Sequence, residues 1–286
     1  MKSRVSIRLI LAVALLVLVP SLTLAQPGTA PPRIYCKHFI FGYPAGAPVS
    51  NPMVIRDLYA LSLNGQTKLA DWVCYYLTPK ETHGPPGLPR NWQNDPWLRK
   101  GEALEVKPKD DYDGVGVVKI DRGHMTPLAS VAGSPLFKQV NIYTNIMPQK
   151  KDLNEGPWEK VEEKVRGLVD KYGHVWGMSG PLYEKDMPPL PKATKPHKVP
   201  SGFWMVVVAS AKENPQSPKD LKVAAFIMDQ DALRKDDPQK AVVSVDDVQK
   251  RSKLNFFWEL SATDQQTLES QTANDWVKEW FKKEQP

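Results

Sequence analysis

Asn64-Gly65 stands between two runs, MVIRDLYALSL and KLADWVCYYL, that are rich in β-branched and aromatic residues. An Asn-Gly pair flanked in this way is a strong hairpin signal, so it commits this part of the chain to antiparallel pairing. YCKHFIFGYP reads as a further strand, GVGVVKI (114–120) as a short one, and HVWGMSGPLY, GFWMVVVAS and KVAAFIMDQ as three more. Between the two groups, Trp158, Val161, Val165, Leu168, Val169 and Tyr172 recur at three- and four-residue steps. That spacing predicts an amphipathic helix from about Glu155 to Tyr172, with Asn154 at its cap and Pro157 in its first turn. Further helices are expected over 245–252 and 264–283. Pro79, Pro85, Pro86, Pro89 and Pro96 exclude both a central strand and a helix from 79–100, which therefore reads as a long surface loop. The Pro-rich stretch 181–200 reads as a second long connection. With no internal repeat and no disordered linker, residues 34–286 are expected to form one α+β domain with an antiparallel sheet core and flanking helices.

The N-terminus carries Lys2, Arg4 and Arg8, then an apolar run from Leu9 to Val19, then Pro20 and a small-residue approach to Ala25. This is the pattern of a cleavable signal peptide over residues 1–25, too short in its apolar part to span a bilayer. A secreted or periplasmic location follows, with no stable membrane association after cleavage, and residues 26–33 read as a loose N-terminal segment. Cleavage removes three positive charges and no negative ones, so the formal +6 falls to +3. Half of the basic excess thus lies outside the mature chain, and bulk charge does not by itself argue for a nucleic-acid partner. Only Cys36 and Cys74 are present, which excludes a disulfide scaffold. Cys74 alternates with Trp72 and Tyr76 on one strand face, an arrangement that favours a buried thiol; whether it pairs with Cys36 stays open.

Most familiar catalytic signatures are absent: there is no phosphate loop, dinucleotide fingerprint, GxSxG elbow, HExxH or CxxC. His38, His83, His174 and His197 stand apart from any ligand-spaced cluster and read as structural or solvent-facing. KIDRGHMTPLAS (119–130) differs, because His124 is a natural base near neutral pH, Arg122 can neutralise a phosphate, and Gly123 would let the backbone turn tightly. The same letters also suit a charged turn. On the helix, Glu162 is the polar residue nearest the apolar stripe, with Arg166 one turn further; the pair suits a hydrated cation and a phosphate, or an ordinary i,i+4 ion pair.

DRGHMTPLAS followed by NIYTNIMPQKKDLNEGPWEKVEEKVR closely resembles the DNA/RNA non-specific endonucleases, the Serratia-type secreted nucleases with a ββα-metal site. The likeness continues in KLADWVCYYLTP, LPRNWQNDP, SGPLYEKDMPPLP, HKVPSGFW and DDVQKRSKLNFFW, over roughly residues 36–270. It implies an exported, metal-dependent endonuclease that hydrolyses phosphodiester bonds of both DNA and RNA, leaving 5′ phosphates. By the same resemblance His124 is the general base, Asn154 the one side chain bound directly to Mg²⁺ (Mn²⁺ being the alternative ion), and Glu162 a carboxylate that holds the hydrated metal through its waters. Arg90, Arg122 and Arg166 match arginines that contact phosphate, Asn145 a polar residue of the same pocket, and Asn141 a supporting asparagine. Asp121 is expected to anchor the turn or a neighbouring guanidinium. Homodimers are common in the family, but no residue here identifies a dimer face. The rival reading is a nucleic-acid-binding protein of the same fold that has lost catalysis. Trp158 is expected in the core rather than against substrate.

Overall fold

The structure, a computed structural model, describes residues 30–271 and 275–281; the expected signal peptide lies outside the described residues. Among the described residues there are nine strands: β1 (Met53–Ile55), β2 (Ala60–Asn64), β3 (Leu69–Leu77), β4 (Ile120–His124), β5 (Ile146–Lys150), β6 (His174–Leu182), β7 (Gly202–Ser210), β8 (Lys222–Asp229) and β9 (Val242–Val243). The helices are α1 (Pro79–Thr82), α2 (Lys151–Leu153), α3 (Glu159–Tyr172), α4 (Val245–Ser252), α5 (Ala262–Glu269) and α6 (Asp275–Phe281). Seven strands form one antiparallel sheet in the order β1-β2-β3-β6-β7-β8-β9, while β4 and β5 pair separately as a two-stranded ribbon.

The hairpin forms where the Asn-Gly pair predicts it, with Asn64 opposite Leu69. The left-handed residue of its loop is Lys68 (φ 65°) rather than Gly65, because Asn64 Oδ1 accepts from the Gln66 and Thr67 amides and fixes the entry to the turn. Along β7, Phe203, Met205, Val207 and Ala209 face one core, while Trp204, Val206 and Val208 face a second. The sheet is therefore a middle layer. One face is covered by α3 through Val161, Val165, Leu168 and Val169, by the ribbon through Ile146 and Met147, and by Met125 just after β4. The other is covered by α4, by Phe256 and Phe257, and by Ile40 and Tyr43 from the N-terminal stretch. Each fully buried side chain of this size contributes roughly 1.5–3 kcal/mol of transfer free energy. Trp158 is in the first core, edge-on to Phe203 at 5.8 Å. Cys74 is buried and Cys36 half-buried, both as free thiols.

Several expected elements differ. YCKHFIFGYP is not a strand: Phe41 (φ 53°) and Gly42 (φ 96°) turn the chain, and its aromatic residues pack onto the sheet instead of joining it, Phe39 meeting Trp72 at 5.9 Å. MVIRDLYALSL is split into β1 and β2 by a turn in which the Arg56 amide donates to Tyr59 O. The loop after β3 does open with a helix, since Pro79 occupies the first turn, where its missing N–H costs nothing. GVGVVKI is a 3₁₀ turn bounded by left-handed Gly114 and Lys119, with Val117 89% exposed. The predicted 264–283 helix is two helices, because Leu268 of α5 packs in one core and Val277 of α6 in the other, on opposite faces of the sheet.

Candidate active site

DRGH forms most of β4 itself, paired with β5 so that Asp121 is opposite Gln149, Arg122 opposite Pro148 and His124 opposite Ile146. Gly123 is needed here for close approach rather than for a turn: a Cβ at this position would lie 1.8 Å from Gln149 Oε1. From β5 the chain enters α2, widens through a π-type turn at Asn154–Trp158 in which Glu155 and Gly156 leave helical geometry, and resumes as α3. The result is a β-β-α unit whose side chains converge on a cleft of about 510 Å³.

Arg90, Asp121, Arg122, His124, Asn154, Glu162 and Arg166 all line that cleft. Asn141 is fully buried behind it: its Nδ2 donates to Pro89 O at 3.2 Å, which turns Oδ1 toward His124 Nε2 at 2.9 Å. His124 must therefore carry its proton on Nε2, and Nδ1 is the basic nitrogen. Burial pulls the imidazole down to about 4; the Asn141 hydrogen bond opposes that shift and Arg90 reinforces it. The ring is neutral at pH 7. Trp92 packs against it at 5.2 Å between centroids.

Asn154 has helical dihedrals and is not the N-cap of the helix, contrary to the sequence reading; it stands at the C-terminal end of α2, its amide donating to Lys151 O. Its Nδ2 donates to Asp121 Oδ2 at 3.0 Å. Asp121 therefore anchors an amide, not a turn or a guanidinium, and in doing so leaves the Asn154 carbonyl oxygen as the available donor atom. Burial pushes the Glu162 carboxyl up to about 8, an effect that Arg166 one turn away only partly offsets. A half-buried, desolvated carboxyl with so little compensation is a place where an added cation would be favoured. Among the described residues no three His, Cys, Asp or Glu side chains gather as a metal cage. An amide oxygen, one carboxylate and water form a donor set that fits Mg²⁺, which keeps most of its hydration shell.

Two predicted residues have other duties. Asn145 is fully buried and does not reach the cleft: its Oδ1 accepts from the Thr126 amide and its Nδ2 donates to Thr126 O and Val140 O, which fixes the backbone just after His124. Arg122 lines the cleft but already donates through Nε to the Tyr143 hydroxyl and through a terminal nitrogen to Asp110 Oδ2, at 2.8 and 2.7 Å. Sequence reasoning missed Trp92, Asp110 and Tyr143. Trp92 lies in LPRNWQNDP, a block already singled out; nothing local marks Asp110. The other histidines are structural or peripheral, His38 holding Arg56 O and the Tyr76 amide, and His83 pairing with Asp170 at the surface.

The sequence profile of the DNA/RNA non-specific endonucleases matches residues 38–263. This chain belongs to that family. It is 38% identical to the nuclease of Serratia marcescens over 80% of this chain and 83% of that protein, and 28% identical to a nuclease of the cyanobacterium Nostoc over 90% and 91%. Its fold is similar to a chain in the crystal structure of the EndoG/EndoGI complex, with a TM-score of 0.64 at 19% identity, covering 78% of this chain and 91% of that one. As a family member the chain is a hydrolase of nucleic-acid phosphodiester bonds.

Proposed function

We propose that the chain is an exported endonuclease that cuts DNA and RNA alike, with His124 as general base and one hydrated Mg²⁺ held by Asn154 directly and by Glu162 through water. The observation that carries this reading is the pair of oriented amides, Asn141 behind the cleft and Asn154 in its wall. Asn141 fixes the His124 tautomer so that Nδ1 can take a proton from water, and Asp121 fixes Asn154 so that its oxygen can face a cation. A bound Mg²⁺ would act as Lewis acid toward the leaving 3′ oxygen. Arg90 and Arg166 would hold the phosphate, and Arg122, its donors partly committed to Asp110 and Tyr143, would present its remaining N–H groups to the same anion. None of these groups reads a base edge, so cleavage without sequence or sugar preference is expected. Export rests on the N-terminal pattern of residues 1–25 and places the enzyme in the periplasm or outside the cell. Among the described residues no helix is long and apolar enough to cross a membrane.

The test is nicking of supercoiled DNA and cleavage of RNA by the purified protein, with Mg²⁺, with Mn²⁺ and with EDTA. Cleavage of both polymers with either metal and its loss in EDTA are expected; activity that persists in EDTA would remove the metal from the scheme. Binding without cleavage in every metal would favour the inactive-binder alternative.

A further inference from the structure

Continuous with the cleft is a second hollow of about 370 Å³. Thr82, Pro85, Pro86 and Leu88, from α1 and the loop after it, form one wall, and Leu128 and Ala132, from the turn after β4, form the other. Arg90, Leu128, Ala129 and Arg166 line both spaces, so two guanidinium groups stand on their boundary. The two spaces differ in chemistry: the cleft is lined by carboxylates, an imidazole and the Asn154 amide, whereas the hollow presents mostly methyl and methylene groups, with the Thr82 hydroxyl, and no charge beyond the boundary arginines.

Its walls are fixed to one another. The Gly133 amide donates to Glu81 O at 2.8 Å, and a Cβ on Gly84 would lie 2.0 Å from Ala132 O, so loop and turn meet backbone to backbone. Further along, Pro89 O accepts from the same Asn141 side chain that fixes His124. One amide thus sets both the proposed base and the exit of the loop that forms the hollow.

We infer that this hollow is a subsite for one nucleoside adjoining the diester that is cut, with its base and sugar on the Pro-Leu wall and its phosphate between Arg90 and Arg166; the inference rests on the endonuclease reading above. The volume is within the range of small-ligand sites. Arginines suit the phosphate, and a mostly aliphatic wall, whose one neutral polar side chain is the Thr82 hydroxyl that can donate or accept, offers apolar contact without a fixed pattern to tell one base from another. The subsite therefore strengthens binding of any nucleotide and selects none.

The experiment uses single-stranded oligonucleotides that contain one cleavable diester among methylphosphonate linkages, flanked by nucleosides on both sides or by an abasic residue on one side or the other. On the intact substrate, Leu88→Asp and Thr82→Trp should each lower kcat/KM about tenfold. On one of the two abasic substrates the wild type should lose about as much, and neither variant should lose more. Wild-type rates in both variants, or losses that multiply on both abasic substrates, would overturn the subsite. Absence of wild-type cleavage of the intact substrate in Mg²⁺ and in Mn²⁺ would instead overturn the endonuclease reading.

Discussion

In β7 every residue from Gly202 to Ser210 is buried, and successive side chains serve two apolar cores in turn. In β4 only Gly123 is buried, and its neighbours each have a different partner: Asp121 holds Asn154, Arg122 holds Asp110 and Tyr143, and His124 holds Asn141. The sheet is stabilised by many interchangeable contacts, so loss of one is a matter of energy. The ribbon is specified by single hydrogen bonds, so loss of one is a matter of chemistry. The two regions should fail differently.

The widest separation is expected from His124→Ala, which should reduce turnover on DNA about 10²–10⁴-fold while thermal unfolding stays close to wild type. Near-normal turnover would remove His124 as the base. Phe203→Ala is the counterpart in the sheet: about 3–5 kcal/mol of stability lost in urea titration, with kcat of the remaining folded protein little changed. A kcat collapse in folded Phe203→Ala would show that the two regions are not separable. Asn154→Ala should raise the Mg²⁺ concentration needed for half-maximal activity, and Asp121→Ala should raise it about 10–100-fold as the amide loses its anchor; an unchanged metal titration in either would sink the donor assignment.

Gly123→Ala crosses the boundary between the two behaviours, since it inserts a methyl group into the space of Gln149. It should cost about 1–3 kcal/mol, and Gln149→Ala in the same chain should recover most of that; additive losses would show that the contact does not limit the site. A further contrast is in pH dependence. Because folding pulls His124 down to about 4 from 6.5, the unfolded chain takes up a proton first as pH falls. The stability this group contributes is complete above 6.5 and is lost progressively as pH falls from 6.5 to 4. Ring NMR of the metal-free protein should show the imidazole titrating near 4, and a midpoint near 6.5 would contradict the desolvated, neutral ring.

The three strands β6, β7 and β8 were legible because continuous apolar runs state them locally, and α4 lies over the expected 245–252. Elements that failed did so where tertiary packing overrode pattern: the aromatic N-terminal stretch covers a sheet face, and the C-terminal helical pattern is divided between two cores. The convergence of Arg90, His124, Asn154, Glu162 and Arg166 was legible through resemblance rather than periodicity, since residues 90 to 166 meet only when the ribbon and α3 fold onto one sheet face. Asn145 was misplaced because an asparagine in a motif looks the same whether its amide points at substrate or at backbone. Asp121, Asp110 and Tyr143 have partners 12 to 33 residues away, beyond what any local spacing encodes.

The close fit of Gly123 against Gln149 also constrains the order in which this sequence can change. A side chain larger than hydrogen at position 123 is compatible with the paired strand only if the buried Gln149 side chain moves aside or position 149 has shortened. Shortening 149 first empties space beside the strand, whereas enlarging 123 first displaces the segment that carries the proposed base. Of the two single-step routes away from the present pair, one passes through a loosened but aligned site and the other through a misaligned one. The glycine is therefore held in place by its neighbour across the ribbon, and drift at either position is gated by the other.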